Sequence, residues 1–453
     1  RRLQLGPVRA LAWLLVAAPL AAQSLPPAPE PLTGLPGAGR PVNLTATAAR
    51  REALLWRLPP GIAIVPAARS RDLEDDVLQD SHFRQDDDFF YFTGLETPDA
   101  VLVLARAEAG ATRVMLALPP ANPAEEQWTG VRLGPGPDAA RLSGIATVLS
   151  TTSLDSLRSE LLRTVRGPIY TVARAPLSDS ALARAWARED RRELVNLAPV
   201  LDSLRVVKDA DEIARLRRAV EITAEAQLAA MRAMRPGLKE HQIEATVEYV
   251  FRDRGADRVG FPSIVGSGPN STTLHYDANR RTIEDGDLVV MDVGAEYGQY
   301  TADVTRTVPA NGRFTPRQRA MYELVLATQQ AAMDAVKPGI TVSELNAIAR
   351  RYLREHSGDL CRPRTCDAFF IHGLSHWLGM RVHDVGDYRM PLQAGMVLTI
   401  EPGIYLAEER LGVRIEDDVL VTPTGYELLS GGAPRSAADV EQAMRQGATD
   451  AIR

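Results

Sequence analysis

Residues 229–245, AAMRAMRPGLKEHQIEA, return as residues 331–347, AAMDAVKPGITVSELNA, at a constant offset of 102 that relates Pro236 to Pro338 and Ala245 to Ala347. Each copy reads as a helix, a Pro-Gly stop and a second helix. Two such copies constrain the C-terminal part of the chain to two like halves about a pseudo-twofold axis. Each copy is followed by an apolar run that ends in a carboxylate: VVMDVG with Asp292 after the first, LTIEPG with Glu401 after the second. The two halves then supply comparable acids, Asp292 and Asp303 from one and Glu401 and Glu416 from the other.

Asp292 and Asp303 belong to one stretch, DLVVMDVGAEYGQYTADVTRT, with Tyr297-Gly298 midway between them. A tight hairpin turning on that pair is expected to set the two aspartates directly opposite each other. Cross-strand Cβ atoms would then be ~4.5–5.5 Å apart, where like charges repel. Such a pair either shares a proton or shares metal ions. Downstream residues favour metal: His376 in HGLSHWLGMRVHD, Glu401, and Glu416 in GVRIEDDVLV. Carboxylates with one imidazole form a hard donor set suited to Mn²⁺ or Mg²⁺, and their four negative charges match two divalent cations. Alternation along RIEDD puts Arg414, Glu416 and Asp418 on one face and Asp417 on the other. His372 and His376 are spaced as in HExxH, but Gly373 replaces the glutamate and no helix is expected there.

With 453 residues, two domains are the default. The net charge of −6 shows no basic excess and argues against nucleic acid as a partner. Arg1, Arg2 and Arg9 precede an apolar run that ends in PLAAQS, the pattern of a secretory signal peptide over residues 1–22. The run is shorter than the ~20 residues of a membrane span, so export without stable membrane insertion is expected. Residues 23–40 are rich in Pro and Gly and read as an unstructured linker. In an exported protein Cys361 and Cys366 either form a local disulfide or remain free thiols.

From 41 to 202, strand-like runs such as AVLVLA and TRVMLALP alternate with helical patterns such as SLDSLRSELLRTV, which implies an α/β domain. A second domain is expected over 203–453. It opens with a capping box, Asp209 and Glu212, and has Pro316 at the first position of a later helix. Helices there should flank a largely antiparallel, curved sheet.

LHYDANRR, MDVGAEYGQYTADVTRT, HGLSHWLGMRVHDVG, GMVLTIEPGIYL and RIEDD occur in the order found in the pita-bread metallopeptidases. With FRQDDDFFYFTGL and QWTGVRLG upstream, the chain most resembles the Xaa-Pro aminopeptidase (aminopeptidase P) family from about residue 45 onward. The resemblance implies an α/β N-terminal domain followed by an α+β pita-bread catalytic domain with internal duplication. It implies two divalent ions, preferably Mn²⁺, on Asp292, Asp303, His376, Glu401 and Glu416. It further implies His275 and His383 against substrate, Glu401 as proton carrier, His372 behind a ligand, and Tyr405 and Arg414 at the rim. The activity implied is hydrolysis of the bond between an N-terminal residue and a following proline, in a homo-oligomer (dimer or tetramer). A dipeptide-cleaving prolidase shares these features. A metal-free amidinohydrolase or binding module would lack part of the donor set. Phe90 stands where the family often has tryptophan, in a region expected to reach a neighbouring subunit's active site.

Overall fold

The computed structural model describes residues 37–70, 83–174 and 181–450. The expected leader over 1–22 and most of the linker lie outside the described residues. The linker also ends earlier than expected. Gly37 O accepts bonds from Glu96 N and Thr97 Oγ1, both at 3.0 Å, and Arg40 pairs with Asp257 at 2.7 Å. Backbone and charge partners from both domains therefore fix residues that composition alone assigns to a free tether.

A mixed six-stranded sheet forms the first domain, in the order 147–150, 112–118, 101–106, 61–66, 169–171, 194–196. Its three long strands are antiparallel neighbours and the shorter ones join in parallel. Strand Val101–Arg106 is buried from Val101 to Ala105 because helices cover both faces, which explains its unbroken apolar run. The short helix Asp87–Thr93 is capped by Asp86, whose side chain accepts from Asp88 N and Phe89 N. Phe89, Phe90, Tyr91 and Phe92 are all buried, in a cluster that also takes in Leu216, Tyr300, Leu378, Met380, Val397 and Leu420 of the second domain. Phe90 is therefore packed where the two domains meet, with the Arg215 guanidinium 5.9 Å from its ring centroid.

The second domain carries the repeat. Helix Ala210–Ala233 is followed by Glu240–Asp253, and Pro316–Met333 by Val342–His356. Capping boxes start three of the four, at Asp209/Glu212, Thr315/Gln318 and Thr341/Glu344. Their apolar faces close over antiparallel strands in one core. In the first half, Leu288–Val293 lies between Ile264–Ser267 and Val304–Pro309. In the second, Asp417–Val421 lies between Val397–Ile400 and Tyr426–Leu428. Among the described residues no helix is long and apolar enough to cross a membrane.

The domains meet through buried charge. Arg205, 1% exposed, reaches Asp88 of the first domain and Asp384 of the second, both at 2.8 Å. Lys208 completes this group at 3.4 Å from Asp384. Asp384 follows His383, so the interface braces a segment that reaches the candidate site.

Candidate metal centre

The hairpin that carries Asp292 and Asp303 forms, but one residue later than expected. Its turn residues are Gly298 (φ 57°) and Gln299 (φ 71°), both left-handed as a tight two-residue hairpin turn requires. Either turn puts one non-glycine residue in that conformation, Tyr297 or Gln299, at roughly 1–2 kcal/mol, and a bond from elsewhere holds the observed one: Gly298 N–H donates to Asp257 Oδ2 at 2.6 Å. As a result Asp292 faces Thr305, not Asp303. The slip shifts the pairing by two positions, so Asp303 keeps the face of Asp292 and becomes its diagonal neighbour. Asp303 lies in a gap in the ladder between Thr301 and Val304, where its N–H donates to Asp418 Oδ2 at 3.1 Å.

Glu401 and Glu416 occupy corresponding gaps. Val397–Ile400 pairs with Asp417–Val421, whereas Gly403–Leu406 pairs with Leu411–Arg414, so both glutamates fall where the strands change partner. His376 enters from a non-helical segment, held by Thr399 Oγ1 accepting from its N–H at 3.2 Å. Its Nδ1 faces Trp377 O at 3.2 Å. That contact leaves Nε2 with a free lone pair, 3.3 Å from Asp303 Oδ2, 3.6 Å from Glu401 Oε1 and 3.9 Å from Glu416 Oε1. Donor atoms of Asp303, His376 and Glu416 lie within 4.8 Å of one another, all buried. Oδ1 of both Asp292 and Asp303 is buried without a protein partner. A buried carboxylate oxygen with no donor is unfavourable unless a cation or proton meets it, so the donor set fits divalent metal.

The electrostatics agree. Burial, and then the charges of neighbouring acids, push the Asp303 and Glu416 carboxyls well above the ordinary carboxylate range. Burial lifts Glu401 to about 7, against the pull of His376 and Arg414. Arg414 offsets part of this crowding. Its Nη2 lies 2.6 Å from Asp292 Oδ2, and its Nε donates to Thr305 Oγ1 at 3.2 Å. Thr305 in turn donates to Glu416 Oε2 at 2.6 Å.

Above this floor opens a cavity of about 590 Å³. His275, His372 and His383 line it together with Arg414, Phe261, Pro262, Val382, Tyr388 and Asp277. His383 stacks on His376 with ring centroids 4.1 Å apart. Desolvation and the neighbouring His376 and His275 draw its pKa down to about 4. His372 is likewise lowered to about 4, by burial and by Arg414. Its Nε2 meets Tyr405 OH at 2.8 Å and its Nδ1 lies 3.5 Å from Glu401 Oε2. Tyr405 was expected at the rim, but it is buried behind His372 and Arg414 and does not line the cavity. The Gly403–Leu406 strand turns its ring inward, so it braces other side chains.

Sequence reasoning missed the groups that hold these residues. Thr305 and Thr399 are ordinary strand threonines until the fold places their hydroxyls beside Glu416 and Glu401. Gln227 and Gln329 were also missed, although the repeat offset relates them and marks them as a pair.

The sequence profile of the aminopeptidase P N-terminal domain matches residues 47–170, and that of metallopeptidase family M24 matches 214–423. A curated Xaa-Pro aminopeptidase of Escherichia coli (strain K12) is 34% identical, over 87% of this chain and 96% of its own length. The chain belongs to the aminopeptidase P group of metallopeptidase family M24. The solved Pseudomonas aeruginosa aminopeptidase PepP matches with a TM-score of 0.83 and 35% identity, covering 90% of this chain and 99% of its own. Aminopeptidase P from Escherichia coli with the inhibitor Pro-Leu matches at 0.84 and 32%, covering 90% of this chain and 100% of its own. The fold is therefore that of aminopeptidase P, an α/β N-terminal domain before a pita-bread catalytic domain, and the family is metal-dependent.

Proposed function

We propose that this protein is a dinuclear metal-dependent aminopeptidase that hydrolyses the bond between an N-terminal residue and a following proline. One observation carries the reading: five ligand-capable side chains from both repeats converge on the floor of a cavity lined by three further histidines. Asp292, Asp303, His376, Glu401 and Glu416 would hold two divalent cations, with Mn²⁺ preferred on this oxygen-rich set. When bound, such a pair supplies an acidified water and polarisation of the scissile carbonyl.

The chain's own groups supply the rest. Glu401, a carboxylate on the cavity floor, would take the proton released by the attacking water and deliver it to the leaving proline nitrogen. His383 is neutral at that pH, so its ring N–H can donate to the carbonyl oxygen as charge develops there; His275 lines the cavity beside it. Arg414 holds Asp292 and keeps its charge in place. His372 is held between Tyr405 OH and Gly373 O, both at 2.8 Å, which fixes its ring beside the Glu401 carboxylate. Phe261, Pro262, Val382 and Tyr388 offer apolar surface for the substrate's side chains and proline ring.

We propose export on the leader at 1–22 and a homo-oligomeric assembly. Trp128, 88% exposed on a helix with no buried residues, supports a partner surface in the first domain. The deciding experiment is Mn²⁺-supported turnover of Xaa-Pro dipeptides against Xaa-Pro-Yaa tripeptides. Faster tripeptide cleavage is expected, and a preference for the dipeptide would replace this reading with a prolidase.

A further inference from the structure

Gln227 and Gln329 are both fully buried, on the first helix of each repeat, at the repeat's own offset. Gln227 Nε2 donates to Met291 O at 3.0 Å and to Val304 O at 2.8 Å. Those carbonyls belong to the residue before Asp292 and the residue after Asp303. Gln329 Nε2 donates to Ile400 O at 2.8 Å and to Ile415 O at 3.1 Å. Those carbonyls belong to the residues before Glu401 and before Glu416. One amide in each half therefore ties together the backbone at both carboxylates of that half.

The need for such a donor follows from where the carboxylates sit. Asp303, Glu401 and Glu416 lie in gaps where the strands change partner, and Asp292 is one residue from such a gap. Of the four carbonyls, Ile415 O lies in such a gap, Ile400 and Val304 are strand-end residues beside one, and Met291 is the next strand residue before Asp292. A buried acceptor left unpaired costs roughly 1–3 kcal/mol. A helix amide with two N–H groups can satisfy two of them at once and fix the spacing between them. Neither glutamine's Oε1 accepts a bond from the protein, so each amide meets these strands as a donor only. The arrangement occurs twice and always next to the proposed ligands. A general need for core hydrogen bonds would not select those four carbonyls.

We infer that Gln227 and Gln329 are paired positioning residues that set the spacing of the metal-binding carboxylates, one amide clip for each half of the centre. This rests on the dinuclear reading above. Removing a group that orients a metal ligand typically lowers metal affinity by about 10–100-fold.

The test is calorimetric titration of chelator-treated protein with Mn²⁺, comparing wild type with Gln227→Met and Gln329→Met, which keep side-chain length and remove the donors. Leu345→Ala, in the core of the second repeat and far in sequence from the ligands, is the control for lost stability, with melting temperatures recorded for all. Each glutamine variant is expected to lose about 10–100-fold in affinity for at least one Mn²⁺, while the control binds like wild type. Should a methionine variant fail to fold, Gln→Asn retracts the amide by one methylene and is expected to show the same loss. Wild-type affinity in the glutamine variants, or an equal loss in the control, would overturn the inference. A wild-type protein that takes up fewer than two ions overturns the dinuclear reading itself, and this clip role with it.

Discussion

The two halves of the catalytic domain are alike where they face the carboxylates and unlike where they face the substrate cavity. Both have the helix, Pro-Gly and helix order, the strand break and the buried glutamine. They differ at the start of the second helix. The first half has Glu240, fully buried, accepting from Ser267 N and Oγ, Asn270 Nδ2, Tyr276 OH and Arg281 N at 2.7–3.0 Å. The matching residue of the second half is Val342, packed in the core. Glu240 thereby pins the irregular segment that presents His275, while the second half presents His372, His376 and His383 from a loop of its own. The duplicated parts thus supply the carboxylates of the proposed metal floor, while the unduplicated loops supply its one histidine, His376, and the walls of the cavity.

The largest break in this comparison should come from the shared floor. Asp303→Ala removes a proposed ligand and the group beneath His376. Because metal activation is worth several kcal/mol of barrier, turnover should fall on the order of 10³-fold or more, with loss of metal on dialysis. Full activity with bound metal would sink the dinuclear reading. Glu240→Gln, on the unshared side, should act differently. It leaves the floor untouched and loosens the His275 segment, so kcat/KM for peptides should drop by about tenfold, ~1.4 kcal/mol, while Mn²⁺ affinity holds. Equal losses in both would erase the division between floor and walls.

Acidity sharpens the same comparison. Asp303, Glu401 and Glu416 have folded-state carboxyls above their unfolded values. Between the unfolded values and the folded ones the folded chain binds more protons, so stability falls as pH rises. For Glu401 that window runs from its ordinary 4.5 to about 7. His372 and His383, lowered from 6.5 to about 4, act in the opposite sense below 6.5, so the acid's share is read against Glu401→Gln. In chelator-treated protein the melting temperature of wild type relative to this variant should fall as pH rises across that range, and Mn²⁺ should reverse the trend. A difference that stays constant or grows over the range contradicts the crowding of acids.

The smallest effect on the site itself is expected at the disulfide that Cys361 and Cys366 form, which closes a loop of sequence separation 5 ahead of His372. Chain entropy for so short a loop gives about 2 kcal/mol. Mild reduction should lower the melting temperature slightly and leave Mn²⁺ binding unchanged. Loss of metal on reduction would place this loop with the floor instead of the walls.

Much of the fold and the donor set was legible because both write themselves into local pattern. The repeat offset, the capping boxes and the five candidate ligands are all visible as residues at fixed spacing. The hairpin register was not, since two neighbouring turns fit the pattern with one non-glycine residue at positive φ in each, and a long-range bond from Gly298 N–H to Asp257 holds the observed one. Tyr405 was misplaced for a related reason: the sequence names a strand tyrosine, but the packing of His372 and Arg414 determines which way it points. The glutamine clips are long-range bonds from helix to strand break, and a side chain that donates to carbonyls far along the chain leaves no mark except its duplication. Phe90 packs in a cluster shared by both domains, a burial that the match of this segment to the family does not by itself reveal.

The central claim is that two like halves hold two metal ions between their carboxylates. Crystals of the protein soaked in Mn²⁺, with anomalous diffraction recorded at the manganese edge, test it most directly. Two anomalous peaks are expected on the cavity floor, within ligand distance of Asp292, Asp303, His376, Glu401 and Glu416. A single peak, or peaks away from these side chains, would contradict it.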